Sequence, residues 1–314
     1  MLSKPPATSN SISIKQMKDA IQKSGYLLEQ RVEPILVEQG YYVQTNSVFP
    51  DPETGKSREI DISALSAIHV FKNGYNYIFP ALICECENNS QPIVFFTKES
   101  PVSFLHHQEV KVSGIPVKFL KGDEFISLSE FTAMEKFHHY CKGPIATQYC
   151  TFQLKKDKSS WIAIHNEEQH ATFDSLIKAL EYEIDKHFAG WALPDEAKEE
   201  EVNIQIYFPL VILQGDLYSA SLKDNHLTLR KSKHIQFRKE FFLSRTNEVE
   251  TYQIDVIAEE YLTDYLKLID SEMTKIKKAF QRQKKSLILS IEEIVKEAKK
   301  IKKKLKSYRE YLEF

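Results

Sequence analysis

The stretch Ala81-Leu82-Ile83-Cys84-Glu85-Cys86-Glu87-Asn88-Asn89 reads as a buried strand that ends in acid. Side chains of an extended segment alternate faces, so Ala81, Ile83, Glu85 and Glu87 share one face and Leu82, Cys84 and Cys86 the other. Two carboxylates side by side at the end of an apolar strand repel each other, and a proton or a divalent cation relieves that repulsion. The alternative is a strand that has reached solvent, with Glu87 pointing into water.

Upstream, Arg58-Glu59-Ile60-Asp61-Ile62-Ser63-Ala64 alternates Ile60 and Ile62 with Glu59, Asp61 and Ser63, the pattern of a strand with one apolar and one acidic face. The turn residues Lys72-Asn73-Gly74-Tyr75-Asn76 join it to the strand carrying Glu85, so the two strands are expected to pair and Asp61 to approach Glu85. Tyr41 to Val48 reads as a further strand, closed by the turn cluster 49–55. Before it, apolar positions at Ile14, Met17, Ile21, Leu28, Val32 and Ile35 predict a helix running to a C-cap at Gly40, with a weak point at Gly25 and a bend at Pro34. Glu29 and Glu33 lie one turn apart on this helix. Residues 1–12, rich in Pro, Ser, Thr and Asn, read as a flexible terminus.

A helix carrying Glu, a strand with Asp in an Arg-Glu-Ile-Asp-Ile context, and an apolar strand ending in Glu-x-Glu resemble the PD-(D/E)xK nuclease superfamily, with its restriction-endonuclease-like core. The resemblance covers residues 13–118, about a third of the chain. It implies that Asp61 and Glu85 hold Mg²⁺, with Mn²⁺ as a substitute, and that Glu29 supplies a further carboxylate. The departure from the family is Glu87, which stands where a Lys that positions or activates the attacking water is most common. A carboxylate there can accept a proton or help hold a second metal, but it supplies no positive charge. Lys98 and Lys111 are candidates for a migrated lysine.

A length of 314 residues suits two domains, or one domain with a long appendage. Plentiful aromatics (19 Phe, 15 Tyr, 2 Trp) predict a packed core rather than disorder. The formal charge of −2 hides an asymmetry: from Ser271 onward 14 Lys+Arg stand against 6 Asp+Glu, a net of +8, which leaves −10 for the rest. A basic tail on an acidic body suits an anionic partner or a solvated helix. Cys84, Cys86, Cys141 and Cys150 form neither a disulfide framework nor a zinc spacing, and reduced thiols in a cytoplasmic protein are expected. No apolar run reaches the ~20 residues that span a bilayer. Neither a Gly-rich phosphate loop nor a Gly-x-Ser-x-Gly elbow is present.

Downstream, Phe104 to Val112 reads as a short helix in which adjacent His106 and His107 are surface residues. Ile115 to Leu120 reads as one core strand, and Ser129 to Tyr140 as a helix. Ala146 to Leu154 and Trp161 to His165 form a strand pair, Ser175 to Phe188 an amphipathic helix, and Val202 to Leu213 a long strand. Tyr252 to Ile257 closes the series, with Asp255 as a structural acid in preference to a third metal ligand. From Glu259 to the end two apolar stripes at mixed spacings of three and four predict packed or paired helices, with Lys-rich turns such as Lys299-Lys300 on the remaining faces.

The resulting expectation is an α/β (α+β) chain: a flexible terminus at 1–12, a nuclease-like mixed sheet core at 13–143, a second mixed α/β region at 144–258 and a basic helical appendage at 259–314. The functional expectation is a Mg²⁺-dependent endonuclease acting on nucleic acid, DNA ahead of RNA. Asp61 and Glu85 would be its metal ligands, with Glu29 and Glu87 assisting. The alternative is a nuclease-like scaffold without activity that binds nucleic acid or, through its C-terminal helices, itself or another protein.

Overall fold

The computed structural model describes residues 12–22, 26–72, 74, 76–156, 159–165, 167–191 and 201–312. The terminus 1–11 and Gly25, for which flexibility and a weak point are expected, lie outside the described residues. In chain order the elements begin with α1 (Ile14–Gln22), α2 (Tyr26–Glu38), β1 (Tyr42–Pro50), β2 (Ser57–Leu65), β3 (Ile68–His69), β4 (Tyr77–Asn88) and β5 (Ile93–Lys98). There follow β6 (Val112–Ile115), β7 (Lys118–Lys121), β8 (Glu124–Ser127), α3 (Leu128–Thr132), β9 (Ile145–Leu154), β10 (Trp161–Ile164) and α4 (Glu167–Trp191). Next come β11 (Asn203–Gln214), β12 (Leu217–Lys223), β13 (His226–Lys231), β14 (His234–Leu243) and β15 (Glu248–Ala258). The chain ends with α5 (Leu262–Arg282) and α6 (Lys284–Leu312).

Thirteen strands among the described residues join in one mixed sheet, ordered β1-β2-β4-β11-β15-β14-β9-β5-β12-β13, with β3, β6 and β10 on its flanks. The β1-β2-β4 meander is antiparallel. β4 then runs parallel to β11 from Asn203↔Tyr77 to Gln214↔Asn88. Strands from both halves of the chain interleave, since β5 lies between β9 and β12. The long apolar run of β11 is what a parallel strand covered on both faces requires. Ile204, Ile206, Phe208, Leu210 and Ile212 enter the core under α2 and α5, while Tyr207, Val211 and Leu213 enter the core under α4. β4 divides the same way, with Leu82 and Cys84 on the α5 side and Ala81 and Ile83 on the α4 side. The two periodicities predicted this mixed α/β architecture with helices on its sheet faces.

Several expectations are corrected. Ile60 and Ile62 do not share a face: Ile60 packs into the α4-side core and Ile62 into the α5-side core. The pleat is broken by Asn46, whose φ is +52° and which sits opposite Asp61 in the gap between Thr45↔Ile62 and Ser47↔Ile60. The 115–120 segment is split at Pro116, so that β6 pairs with β11 while β7 pairs with β8 in a separate hairpin. The helix expected to reach Tyr140 stops at Thr132, where Ala133 takes a left-handed φ of +57°. His106 and His107 are buried, not on the surface. His106 shares a 3.2 Å hydrogen bond with the Tyr140 carbonyl.

α5 and the first part of α6 are likewise not beside the body but part of it. α5 buries Leu262, Tyr265, Leu266, Ile269, Met273, Ile276 and Phe280 against the sheet. At about 1.5–3 kcal/mol for each fully buried large apolar side chain, this face holds α5 to the core far more strongly than helix propensity alone could. Leu287, Ile291 and Val295 of α6 extend the same cluster.

Candidate acidic site and a buried histidine network

The β2–β4 register places Ile62 opposite Cys84, and one step further along both strands brings Asp61 to Glu85. Their carboxyls are hydrogen bonded to each other, a contact that requires a proton on one of the two. Asp61 Oδ2 also accepts the backbone N–H of Cys86 at 2.7 Å. Burial, reinforced by Asp61, pushes the Glu85 carboxyl up to about 9, and burial raises Asp61 as well. Both groups are half-buried rather than sealed. Two carboxylates in this position hold one proton between them at neutral pH unless a cation replaces it.

Glu29 of α2 stands on the other side of Asp61. Burial first, and then the charge of Asp61, raise its carboxyl, while Asn46 donates to Glu29 Oε2 at 3.3 Å. The residue that breaks the β1 pleat thus also holds this acid. Glu87 lies beside Glu85 and adds to its upward shift. The N-terminal part of α4 faces both acids of β4. Thr172 donates to Glu87 and Ser175 hydrogen bonds Glu85, the i, i+3 spacing of the hydroxyls matching the i, i+2 spacing of the acids. The four acids named from the sequence therefore form a chain of neighbours, Glu29 beside Asp61, Asp61 in direct contact with Glu85, and Glu85 beside Glu87.

Neither migrated-lysine candidate joins them as an ion-pair partner. Lys111 donates to Glu250 at 2.6 Å and lies over the Tyr252 ring, and Lys98 is exposed at the end of β5. A cavity of about 320 Å³ opens beneath α4 past Ile83, lined by Ser63, Ala81, Lys186, His187 and Tyr207, but the acids do not line it.

Sequence reading missed a second cluster. His138, His139 and Glu272 place ligand atoms within 4.8 Å of one another and could hold a metal ion. All three are buried. The hydrogen bonds of His139 and Glu272 close without one, while His138 Nε2 is buried with no hydrogen-bond partner among the described residues. His139 donates through Nδ1 to Glu272 at 3.0 Å and through Nε2 to Asp255 at 3.0 Å. Asp255 also accepts from Tyr265 at 2.7 Å and lies 2.6 Å from His234 Nε2. Burial opposes the His139 charge, but Asp255 and Glu272 outweigh it and push the imidazole up to about 10. His138 goes the other way, to about 3, because burial dominates. Its Nδ1 accepts the Tyr140 backbone N–H at 3.2 Å, which leaves the proton on Nε2, 3.6 Å from Glu272. A metal on Nε2 would have to remove that proton. The only signal in the sequence is the adjacent pair in Phe137-His138-His139-Tyr140, and its partners lie more than 110 residues away.

Comparison of the chain with protein-family models, with curated proteins and with solved structures finds no match. Among the described residues no helix is long and apolar enough to cross a membrane.

Proposed function

We propose that the Asp61–Glu85 pair is a divalent-cation site and that the chain is a phosphodiester hydrolase acting on nucleic acid, with a restriction-endonuclease-like core formed by α2, β1, β2 and β4. The observation that carries this reading is the contact of Asp61 with Glu85, two half-buried acids that the antiparallel register brings together from neighbouring strands. The oxygen-only donor set fits a hard cation such as Mg²⁺ or Mn²⁺. Bound there, the cation would polarise a phosphodiester and lower the pKa of a coordinated water.

The chain's own groups supply the rest. Asp61 is oriented by the Cys86 N–H, and Ser175 holds Glu85. Glu29, whose carboxyl is raised by burial and by Asp61, is placed to exchange a proton with water. Glu87, held by Thr172, carries no positive charge toward a phosphate. The engagement of Lys111 by Glu250 favours a second reading, in which nucleic acid is bound without being cut.

The test is cleavage of fluorescent single- and double-stranded DNA and RNA with Mg²⁺ or Mn²⁺ by the wild type, Asp61→Asn and Glu85→Gln. Metal-dependent cleavage reduced at least 100-fold by each substitution is expected. Binding with no cleavage under any metal would replace this reading with the second, and cleavage that survives both substitutions would overturn it.

A further inference from the structure

The C-terminal part of α5 and the start of α6 read Lys275-Ile276-Lys277-Lys278-Ala279-Phe280-Gln281-Arg282-Gln283-Lys284-Lys285, six cations and no acid. Ile276, Ala279 and Phe280 are buried in the core. That orientation turns Lys275, Lys278 and Arg282, spaced three and four apart, onto one exposed stripe. Facing the stripe is the segment that leaves α3, with Ala133 in its left-handed turn, Lys136 and Phe137. Between the two lies a groove of about 630 Å³ lined by Thr132, Lys136, Phe137, Lys275, Lys278 and Arg282, among others.

No carboxylate lines this groove. The nearby Glu130 completes the capping box of α3 with Ser127. Some exposed cations elsewhere have acid partners, as Lys231 with Asp216, Lys267 with Asp264, and Arg245 with Glu181 and Asp185, while others such as Lys56, Lys155 and Lys223 stand far apart in sequence. What sets the groove apart is four cations lining it without a carboxylate. Among the described residues no ion pair forms at Lys136, Lys275, Lys278 or Arg282. Lys275 is instead placed 5.4 Å over the Phe137 ring, which fixes its ammonium at the groove wall. The partial negative charge at the end of α5 offsets only a fraction of four unit charges.

We propose that this groove binds nucleotide phosphates, presented either by a free nucleotide or by a single nucleic-acid strand. The cations supply neutralisation of phosphate charge, and Phe137 supplies an aromatic face beside them. The volume suits one nucleotide unit, not the width of a duplex. The site is separate from the acidic pair. α5 starts beside Glu259, which pairs with Arg31 of α2, and near its other end Gln281 donates to the Val70 carbonyl at 2.8 Å. The helix rise separates these ends by roughly 30 Å. Binding here does not depend on hydrolysis at Asp61 and Glu85.

The test is fluorescence anisotropy of the full chain in EDTA, with a labelled ten-nucleotide single strand and a labelled nucleoside triphosphate, over a salt series. The triple substitution Lys275→Gln, Lys278→Gln, Arg282→Gln is expected to weaken binding at least tenfold. It should also lower the log–log salt slope for the strand by about 2, at roughly 0.7 per phosphate contact. The control Lys56→Gln, Lys155→Gln, Lys223→Gln removes the same charge from exposed positions elsewhere and is expected to change affinity less than twofold. Tight binding of the triphosphate identifies a free nucleotide as a ligand, and binding of the strand alone identifies a polymer. The inference is overturned if the wild type binds neither probe at 50 mM salt (roughly the low end of the useful range), or if the control loses as much as the groove variant. The assay is run in EDTA and reads binding alone, so a failed hydrolase reading leaves this result intact.

Discussion

The carboxyls of Asp61 and Glu85 meet across neighbouring antiparallel strands and share a proton. The pair is metastable toward anything that can replace that proton. Glu85 is held at about 9 in the fold, against 4.5 for its unperturbed value. Between those two values the unfolded chain has already lost a proton that the folded chain retains, so stability falls as pH rises across this window.

Glu85→Gln keeps a hydrogen-bond donor toward Asp61 without an ionisable group. It is expected to stabilise the metal-free protein by roughly 1–2 kcal/mol at pH 8, below the ~4 kcal/mol of full repulsion at close range in a partly screened site. Near pH 4.5 the gain should vanish. Urea unfolding of both proteins in EDTA at the two pH values measures it, and an equal gain at both would sink the shared-proton account.

A divalent cation that replaces the proton stabilises the folded state alone. Mn²⁺ at a hundred times its dissociation constant is expected to add about 2.7 kcal/mol. The effect should be larger at pH 8 than at pH 5, because the metal competes with the proton. Asp61→Asn should abolish it. A Mn²⁺-induced rise in Tm that persists in Asp61→Asn would move the metal elsewhere, with the His138–His139–Glu272 group as the next place to look.

The α4 hydroxyls give a separate handle. Ser175 favours the ionised form of Glu85, so Ser175→Ala raises that carboxyl further and makes the proton harder to displace. Mn²⁺ affinity at pH 7 is expected to fall about 2- to 10-fold, the worth of one hydrogen bond. Thr172→Val tests Glu87 in the same titration: an equal fall places Glu87 in the cation site, and an unchanged affinity removes it.

The longer strands of this fold were legible because each is encoded within its own ten residues, while the short β3 and β8 were not. β4 and β11 show their apolar runs directly, and the link from β2 to β4 predicts the approach of Asp61 to Glu85. Three kinds of feature were not legible. One is local backbone: the left-handed Ala133 ends a helix that periodicity alone extends, and the left-handed Asn46 sits unannounced inside β1. Another is burial of polar residues, as at His106 and His107, because an adjacent histidine pair looks the same on a surface and in a satisfied interior. The third is contact at long range. His139 meets Asp255 and Glu272 only once the sheet and α5 have assembled, 116 and 133 residues downstream.

That assembly makes the His139 network the main pH-dependent element of the core apart from Glu85. Asp255 and Glu272 are held below their usual range, so their stabilisation is present above about pH 4.5 and lost on acidification. His139 is held up to about 10 against 6.5, so its stabilisation is complete below 6.5 and lost as pH climbs toward 10. Glu272→Gln, which leaves His139 with one carboxylate partner, is expected to cost about 3–5 kcal/mol near pH 5.5. The cost should shrink on either side of that window. Tyr265→Phe removes only the hydroxyl that bonds Asp255 at 2.7 Å and is expected to cost about 1–2 kcal/mol, nearly constant from pH 5 to 8. Guanidinium unfolding of the three proteins across pH 4 to 10 measures both differences. A Glu272→Gln cost that stays flat over the whole range would mean that His139 is neutral, and the buried ion triplet would have to be abandoned.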